Sequence, residues 1–219
     1  MELFWAPQTR SMTAVWALEE SGLPYSRSLI DIRSGPERPE EFLQVNPMGK
    51  VPALRDGAAM LAEATAICAY VGDKTLNGGR GASAAGATML APALDDPARG
   101  RYLHWLFFRA GCIEAAFGQK LGGWEMDPLA AGWGSYDKTM SVLEAAVSPG
   151  PWLLGERFTM ADVAMGSSLW FGLNVLKVIE GYPAIDAYVE RCTARPAFQR
   201  AMAIDAAAIE SAAIDAPGG

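Results

Sequence analysis

Residues 46–70, NPMGKVPALRDGAAMLAEATAICAY, decide how the rest of the chain is read. Val51-Pro52 stands where an extended run begins. Proline donates no ladder hydrogen bond, so it belongs at a sheet edge or in a special turn. A cis bond at Pro52 is one such case, because X-Pro is the setting in which the cis form costs only about 0.5–1 kcal/mol. That turn would aim the amide and carbonyl of Val51 sideways, free to pair with an extended ligand. Asp56-Gly57 is a strong hairpin signal between Ala53–Arg55 and a returning strand at Ala58–Leu61. Glu63-Ala64-Thr65 then opens a helix with Ala66, Ile67, Tyr70 and Val71 along one face. Free amides and the dipole make a helix N-terminus an anion site, suited to a ligand carboxylate. A plainer reading is a hairpin running into a helix that Glu63 merely caps.

Upstream, Glu2–Trp5 reads as a strand ending at Ala6-Pro7. A polar loop follows at Gln8–Ser11, then a helix from Met12 with Val15, Trp16 and Leu18 on its apolar side and Gly22 as its stop. A second strand is expected near Ser26–Ile32. Pro39 starts a short helix through Phe42, Leu43 and Val45, and Pro47 ends it. The order is an α/β plan with parallel, then antiparallel pairing.

Residues 75–98 are rich in Gly, Ala, Ser and Pro, closing on Asp95-Asp96-Pro97, and read as a linker followed by a helix start. This predicts an α/β domain at 1–76, a linker at 77–97 and an all-helical domain at 98–219. Helical periodicity fills 99–121, 129–147, 158–178 and 182–203. Thr159-Met160-Ala161-Asp162 has the form of a capping box and should start the most buried helix of this half. Loss of such a cap typically costs about 1 kcal/mol. The tail after Ile209 is expected to be loose.

Of the 219 residues 51% are hydrophobic, enough for a sizeable core, and the net charge is −7. No basic run exceeds two residues, which argues against nucleic acid as a partner. No apolar stretch approaches the roughly 20 residues of a membrane span and the first residues lack a leader pattern, so a soluble, cytoplasmic protein without membrane association is expected. Cys68, Cys112 and Cys192 are widely spaced in apolar helical patterns, as reduced buried thiols would be. One histidine, His104, and no paired Cys-His spacing argue against zinc or any other metal centre.

Five segments in order carry a resemblance over residues 2–203: APQTRSMTAVWALEESGLPY (6–25), the opening stretch, ARGRYLHWLFFRAGCIEAAF (98–117), PWLLGERFTMADVA (151–164) and YPAIDAYVERCTARPAFQRA (182–201). Together they resemble the cytosolic glutathione S-transferases, above all bacterial ones with an Ala/Ser-Pro loop and a Trp-x-Leu-Glu-Glu helix. The resemblance implies a thioredoxin-like N-terminal domain, an all-helical C-terminal domain, glutathione as co-substrate and a homodimer. It assigns glutathione binding to Val51 and Pro52, with Glu63 and Ala64 at the γ-glutamyl group and Lys50 and Arg33 near the glycine carboxylate. Ala64 departs from the usual Ser, and Thr65 is the neighbouring hydroxyl that could replace it.

The loop that activates the thiol holds a Tyr, Ser or Cys in the family, whereas here it offers Gln8, Thr9, Arg10 and Ser11. Neither Tyr-type activation nor Cys-type disulfide chemistry is supported. The expected donors are Thr9 or Ser11, with Arg10 as electrostatic support, the alternative being that either hydroxyl only caps the first helix. Trp105, Phe108 and Cys112, on the first helix of the second half, are the expected pocket for a hydrophobic electrophile; their alternative role is bundle core. His104, without a visible carboxylate partner, is expected in a surface or packing role, the alternative being a general base. Trp124, Trp133 and Tyr136 either roof the pocket or staple their loop. The implied activity is thiolate attack on, or thiol transfer with, an electrophilic small molecule, in detoxification; a non-catalytic glutathione-binding or scaffold protein is the alternative.

Overall fold

A computed structural model of the chain describes residues 1–76 and 89–214, with side chains through Ser211. The first part runs β1 (Glu2–Trp5), α1 (Ser11–Ser21), β2 (Ser26–Leu29), α2 (Glu40–Val45), β3 (Ala53–Asp56), β4 (Ala59–Ala62) and α3 (Ala64–Leu76). The sheet order is β2-β1-β3-β4, with β1 parallel to β2 and antiparallel to β3, and β3 antiparallel to β4. This is the expected thioredoxin-like arrangement, and the Val51–Pro52 bond just ahead of β3 is cis.

Two boundaries differ from the sequence reading. The second strand ends at Leu29, the Ile30 amide making a last bond to the Trp5 carbonyl at 2.8 Å, and beyond it the Asp31 carboxylate turns the chain by accepting the amides of Arg33 at 2.8 Å and Ser34 at 3.0 Å. In the hairpin Asp56 pairs with Ala59, which leaves Gly57-Ala58 as the turn. Gly57 has φ +61°, the left-handed value a two-residue hairpin asks of its first central position.

The second part is helical: α4 (Ala98–Phe108), a π-helical turn (Arg109–Ile113), α5 (Glu114–Gly122), α6 (Tyr136–Val147), α7 (Met160–Asn174), α8 (Pro183–Thr193) and α9 (Pro196–Ile214). Asp96 marks the entry to α4, its carboxylate accepting from the Ala98 amide at 2.8 Å. The remainder of the expected linker, 77–88, lies outside the described residues. The helix expected from residue 129 begins only at Tyr136, where the Ser135 hydroxyl accepts the Lys138 amide at 3.2 Å. At the other end α9 continues to Ile214, past the Ile209 at which a loose tail was expected.

The capping box is formed. Thr159 donates its amide to Asp162 Oδ2 at 2.9 Å, and the Thr159 hydroxyl accepts the Ala161 amide at 3.3 Å. The helix it starts, α7, is buried from Met160 to Leu169 and packs on α1, α3, α4 and α8. One hydrophobic core runs from Leu3 and Trp16 through Ile67 and Leu106 to Val163 and Phe198, so the sheet and the helical part share it. A smaller cluster of Phe4, Ile30, Phe42, Val45 and Ala53 lies under α2.

All three cysteines are free. Cys68 and Cys192 are buried as expected, but Cys112, on the π turn, is partly exposed. Among the described residues no His/Cys/Asp/Glu group could hold a metal ion, and no helix is long and apolar enough to cross a membrane.

Candidate functional site

The loop joining β1 to α1 is tied by its own side chains. The Thr9 hydroxyl donates to the Ala6 carbonyl at 2.7 Å, accepts the Ser11 amide at 3.0 Å and lies 2.9 Å from Ser11 Oγ. Ser11 Oγ in turn accepts the Ala6 amide at 3.3 Å. Gln8 adopts φ +58° and gives its amide to both oxygens of Asp205 on α9, at 3.0 and 3.2 Å. Thr9 therefore closes the first turn of α1 and, half-buried, also lines a cavity. Ser11 is fully buried and does not line that cavity, which argues against it as a ligand donor.

The cavity has a volume of about 530 Å³. Its apolar wall comes from Phe117, Trp170, Phe171, Val175, Met202 and Ile209. Arg10, Arg109, Glu114 and Ser168 add polar groups, as does Thr13, whose hydroxyl is bonded to that of Ser167.

Arg109 is the best-placed charge in the site and was not singled out by the sequence reading. It is 5% exposed, and its Nε donates to Ser168 Oγ at 2.8 Å and its Nη1 to the Thr65 hydroxyl at 3.2 Å. Its Nη2 stands 3.2 Å from Glu114 Oε1. Glu114 also receives Arg10, through Nε at 2.8 and 2.9 Å and through Nη2. Five residues separate Arg109 from Glu114, which on an α-helix puts side chains roughly 140° apart. The intervening π turn widens the helix and brings residues i and i+5 onto one face. The available signal was a pair of opposite charges inside an apolar helix around Gly111, at a spacing that only a π turn would unite.

The electrostatics follow from these contacts. Burial by itself would push the Glu114 carboxyl up, but the Arg10 hydrogen bond and the charges of both arginines hold it below the usual range. The Glu114 hydrogen bond raises Arg10, whereas burial pulls Arg109 down. Asp205, partly buried, is raised by desolvation against the Gln8 hydrogen bond.

Among the residues expected to hold glutathione, Glu63 and Ala64 directly precede Thr65. Glu63 is exposed, has φ +67° and offers its carbonyl to the Ile67 amide at 3.0 Å, so it sits at the entry to α3. Ala64 is buried there. Thr65 is buried and its hydroxyl accepts from Arg109, which leaves its own proton to donate. Val51 is half-buried beside buried Pro52. Lys50 is exposed and forms no ion pair among the described residues, and Arg33 donates to the Gln8 side chain at 2.8 Å.

Trp105, Phe108 and Cys112, the residues expected at the electrophile, do not line this cavity. Trp105 is buried in the shared core, and Phe108 packs edge-on against it with ring centroids 5.4 Å apart. Cys112 lies on the same π turn as Arg109 but does not reach the cavity wall. His104 is exposed and packs edge-on against Trp105 at 4.7 Å, in line with a packing role. Trp133 donates to Gln119 at 3.0 Å and Tyr136 to the Val178 carbonyl, so this pair staples its loop, while Trp124 is exposed.

With this geometry in hand, similarity to known proteins is informative. The profile "Glutathione S-transferase, N-terminal domain" matches residues 10–74, and "Glutathione S-transferase, C-terminal domain" matches residues 126–191. The chain is similar to the glutathione S-transferase GstA of Escherichia coli O157:H7, 27% identical over 94% of this chain and 98% of that protein. A sphingomonad glutathione S-transferase, solved in complex with glutathione, is 28% identical with a TM-score of 0.73, covering 94% and 99% of the two chains. A glutathione transferase structure from Methylococcus capsulatus is 30% identical with a TM-score of 0.75, covering 94% and 98%. An identity of that level across nearly both whole chains, together with matches to both domain profiles, means that the chain belongs to the glutathione S-transferase family.

Proposed function

We propose that this protein is a glutathione S-transferase in which the Thr9 hydroxyl stabilises the glutathione thiolate for attack on an apolar electrophile held in the neighbouring cavity. The observation that carries this assignment is that Thr9, of the two loop hydroxyls, is the one lining an aromatic-walled cavity of about 530 Å³. A thiol with a pKa near 8.5 is mostly protonated at pH 7, and lowering it by two units takes about 2.7 kcal/mol of preferential thiolate stabilisation. A rotated Thr9 hydroxyl, the first amides of α1 and the Arg10 charge each contribute part of that. Arg10 acts with its charge partly balanced by Glu114.

In this proposal Val51 pairs its backbone with the peptide, Pro52 shapes that turn, and Glu63 with the α3 amides takes the γ-glutamyl group. Lys50 supplies a cation near the glycine carboxylate. Ala64 lacks the hydroxyl usual at its position, which weakens glutathione binding by about 0.5–1.5 kcal/mol. The electrophile meets Phe117, Trp170 and Phe171 in place of Trp105, Phe108 and Cys112. Domain limits at 1–76, 77–97 and 98–219, a homodimer, cytoplasmic residence and a role in detoxification belong to the same proposal. Ala64 also favours a second reading, a glutathione-binding protein without turnover.

Titration with glutathione, followed by calorimetry and by the ultraviolet thiolate band across pH, tests the assignment. The expected result is a bound thiol pKa well below that of free glutathione, with Thr9→Ala losing most of the shift and about tenfold in kcat/KM. Binding without a shift would favour the non-catalytic reading, and no binding would defeat both.

A further inference from the structure

The charges clustered around Glu114 are uneven. Arg10 and Arg109 share one carboxylate, Glu114, so these three groups sum to one positive charge. Arg109 has five N–H donors and, among the described residues, three partners: Ser168, Thr65 and Glu114. Two donors of a guanidinium that is only 5% exposed, and that lines the cavity, are therefore left over. Burying a donor without a partner is costly, and an anion with two acceptor oxygens would meet both the donors and the charge. The cavity's other carboxylate, Asp205, bonds the Gln8 amide and forms no ion pair with Arg10 or Arg109 among the described residues. Beside the charges stand flat apolar surfaces: Trp170, and Phe171 with the Arg10 guanidinium 5.5 Å from its ring centre.

We propose that the electrophile accepted by this cavity is an aryl carboxylate, its ring against Phe171 and Trp170 and its carboxylate on Arg109, with Arg10 beside it. Arg109 is then a specificity-determining residue. The proposal rests on the transferase reading above and deepens it. For 4-chloro-3-nitrobenzoate as probe, the glutathione sulfur forms a C–S bond at the ring carbon bearing chlorine, chloride leaves with the bonding pair, and the thiol proton passes to solvent.

The test uses two pairs of compounds that differ only in charge. Binding of 3-nitrobenzoate and of methyl 3-nitrobenzoate is measured by calorimetry on the full chain. The conjugation rates of 4-chloro-3-nitrobenzoate and its methyl ester are measured as kcat/KM divided by the uncatalysed rate constant with glutathione. In the wild type the acid is expected to bind about tenfold tighter than the ester and to show a similar preference in normalised kcat/KM. Arg109→Met should bring the ratio to about one, while Arg109→Lys retains part of it. Should Arg109→Met fail to fold, the wild-type ratio falling with added salt and reduced in Arg109→Lys gives the same discrimination. Equal binding of acid and ester by the wild type, or tighter binding of the ester, overturns the proposal. Because the nitrobenzoate pair needs no turnover, it reads the cavity even where glutathione does not bind. Failure of glutathione binding would defeat the transferase assignment alone.

Discussion

Two carboxylates in this protein, one partly and one fully buried, have been moved in opposite directions. Glu114 faces the cavity and is held low, because two guanidinium groups outweigh its burial. Asp162, fully buried at the start of α7, is pushed up to about 6 by desolvation, although the amides of Leu153 and Thr159 and the hydroxyls of Tyr188 and Thr159 all donate to it. The donors at Asp162 are neutral and those at Glu114 are charged. Neutral hydrogen bonds suffice to hold a helix start inside a core, whereas opposite charges are needed to keep a carboxylate ionised beside a cavity. The first cluster closes on itself; the second keeps donors in reserve, which suits a binding site.

Breaking the charged cluster should have the larger effect. Glu114→Gln leaves buried Arg109 with a neutral neighbour, and the expected loss is about 3–5 kcal/mol in denaturant unfolding. A loss below about 1 kcal/mol would mean that water already screens Arg109.

The neutral cluster gives a different signature, read through pH. Asp162 has a folded-state value near 6 against 3.8 for the free side chain. Its contribution is therefore fully present below 3.8 and is lost as pH rises through 6. Asp162→Asn, which cannot titrate, should cost about 1–2 kcal/mol at pH 7, and progressively more as pH falls to 4, by up to about 3 kcal/mol. Glu114, held low, has the opposite sign: its contribution is present above the ordinary carboxylate value and lost as pH falls through the folded one. Stability of wild type and variant measured side by side from pH 4 to 7 decides the matter, and a flat difference would contradict the raised value.

The smallest effect is expected at the exposed end of the charged cluster. The Arg10 side chain is about half exposed, at 49%, so Arg10→Met should cost less than about 1 kcal/mol of stability, and less still in high salt. A larger loss would show that Arg10 and Arg109 hold Glu114 as one unit.

Local signals were enough for much of this chain. Gly22 is in the left-handed conformation at the end of α1, Thr159 and Asp162 cap α7, and Val51-Pro52 is followed by a hairpin and a helix. Each of these depends on the chemistry of a few adjacent residues, and residue type reports that chemistry directly. The ordered sequence segments likewise sufficed to resemble the right family, and Thr9 was among the candidates because its loop is short. Only tertiary structure distinguishes Thr9 from Ser11, both small hydroxyls in the same turn, by placing Thr9 and not Ser11 along the cavity. The wall of this cavity comes from α5, α7 and α9, which the sequence did not single out, because an apolar helix shows its period but not the partner each face meets. The pairing of Arg109 with Glu114 required the π turn, and of their contacts with Thr65, Ser168 and Arg10 the widest, Arg10 to Glu114, spans 104 positions of the sequence. No local pattern encodes contacts of that range; packing around a shared core does.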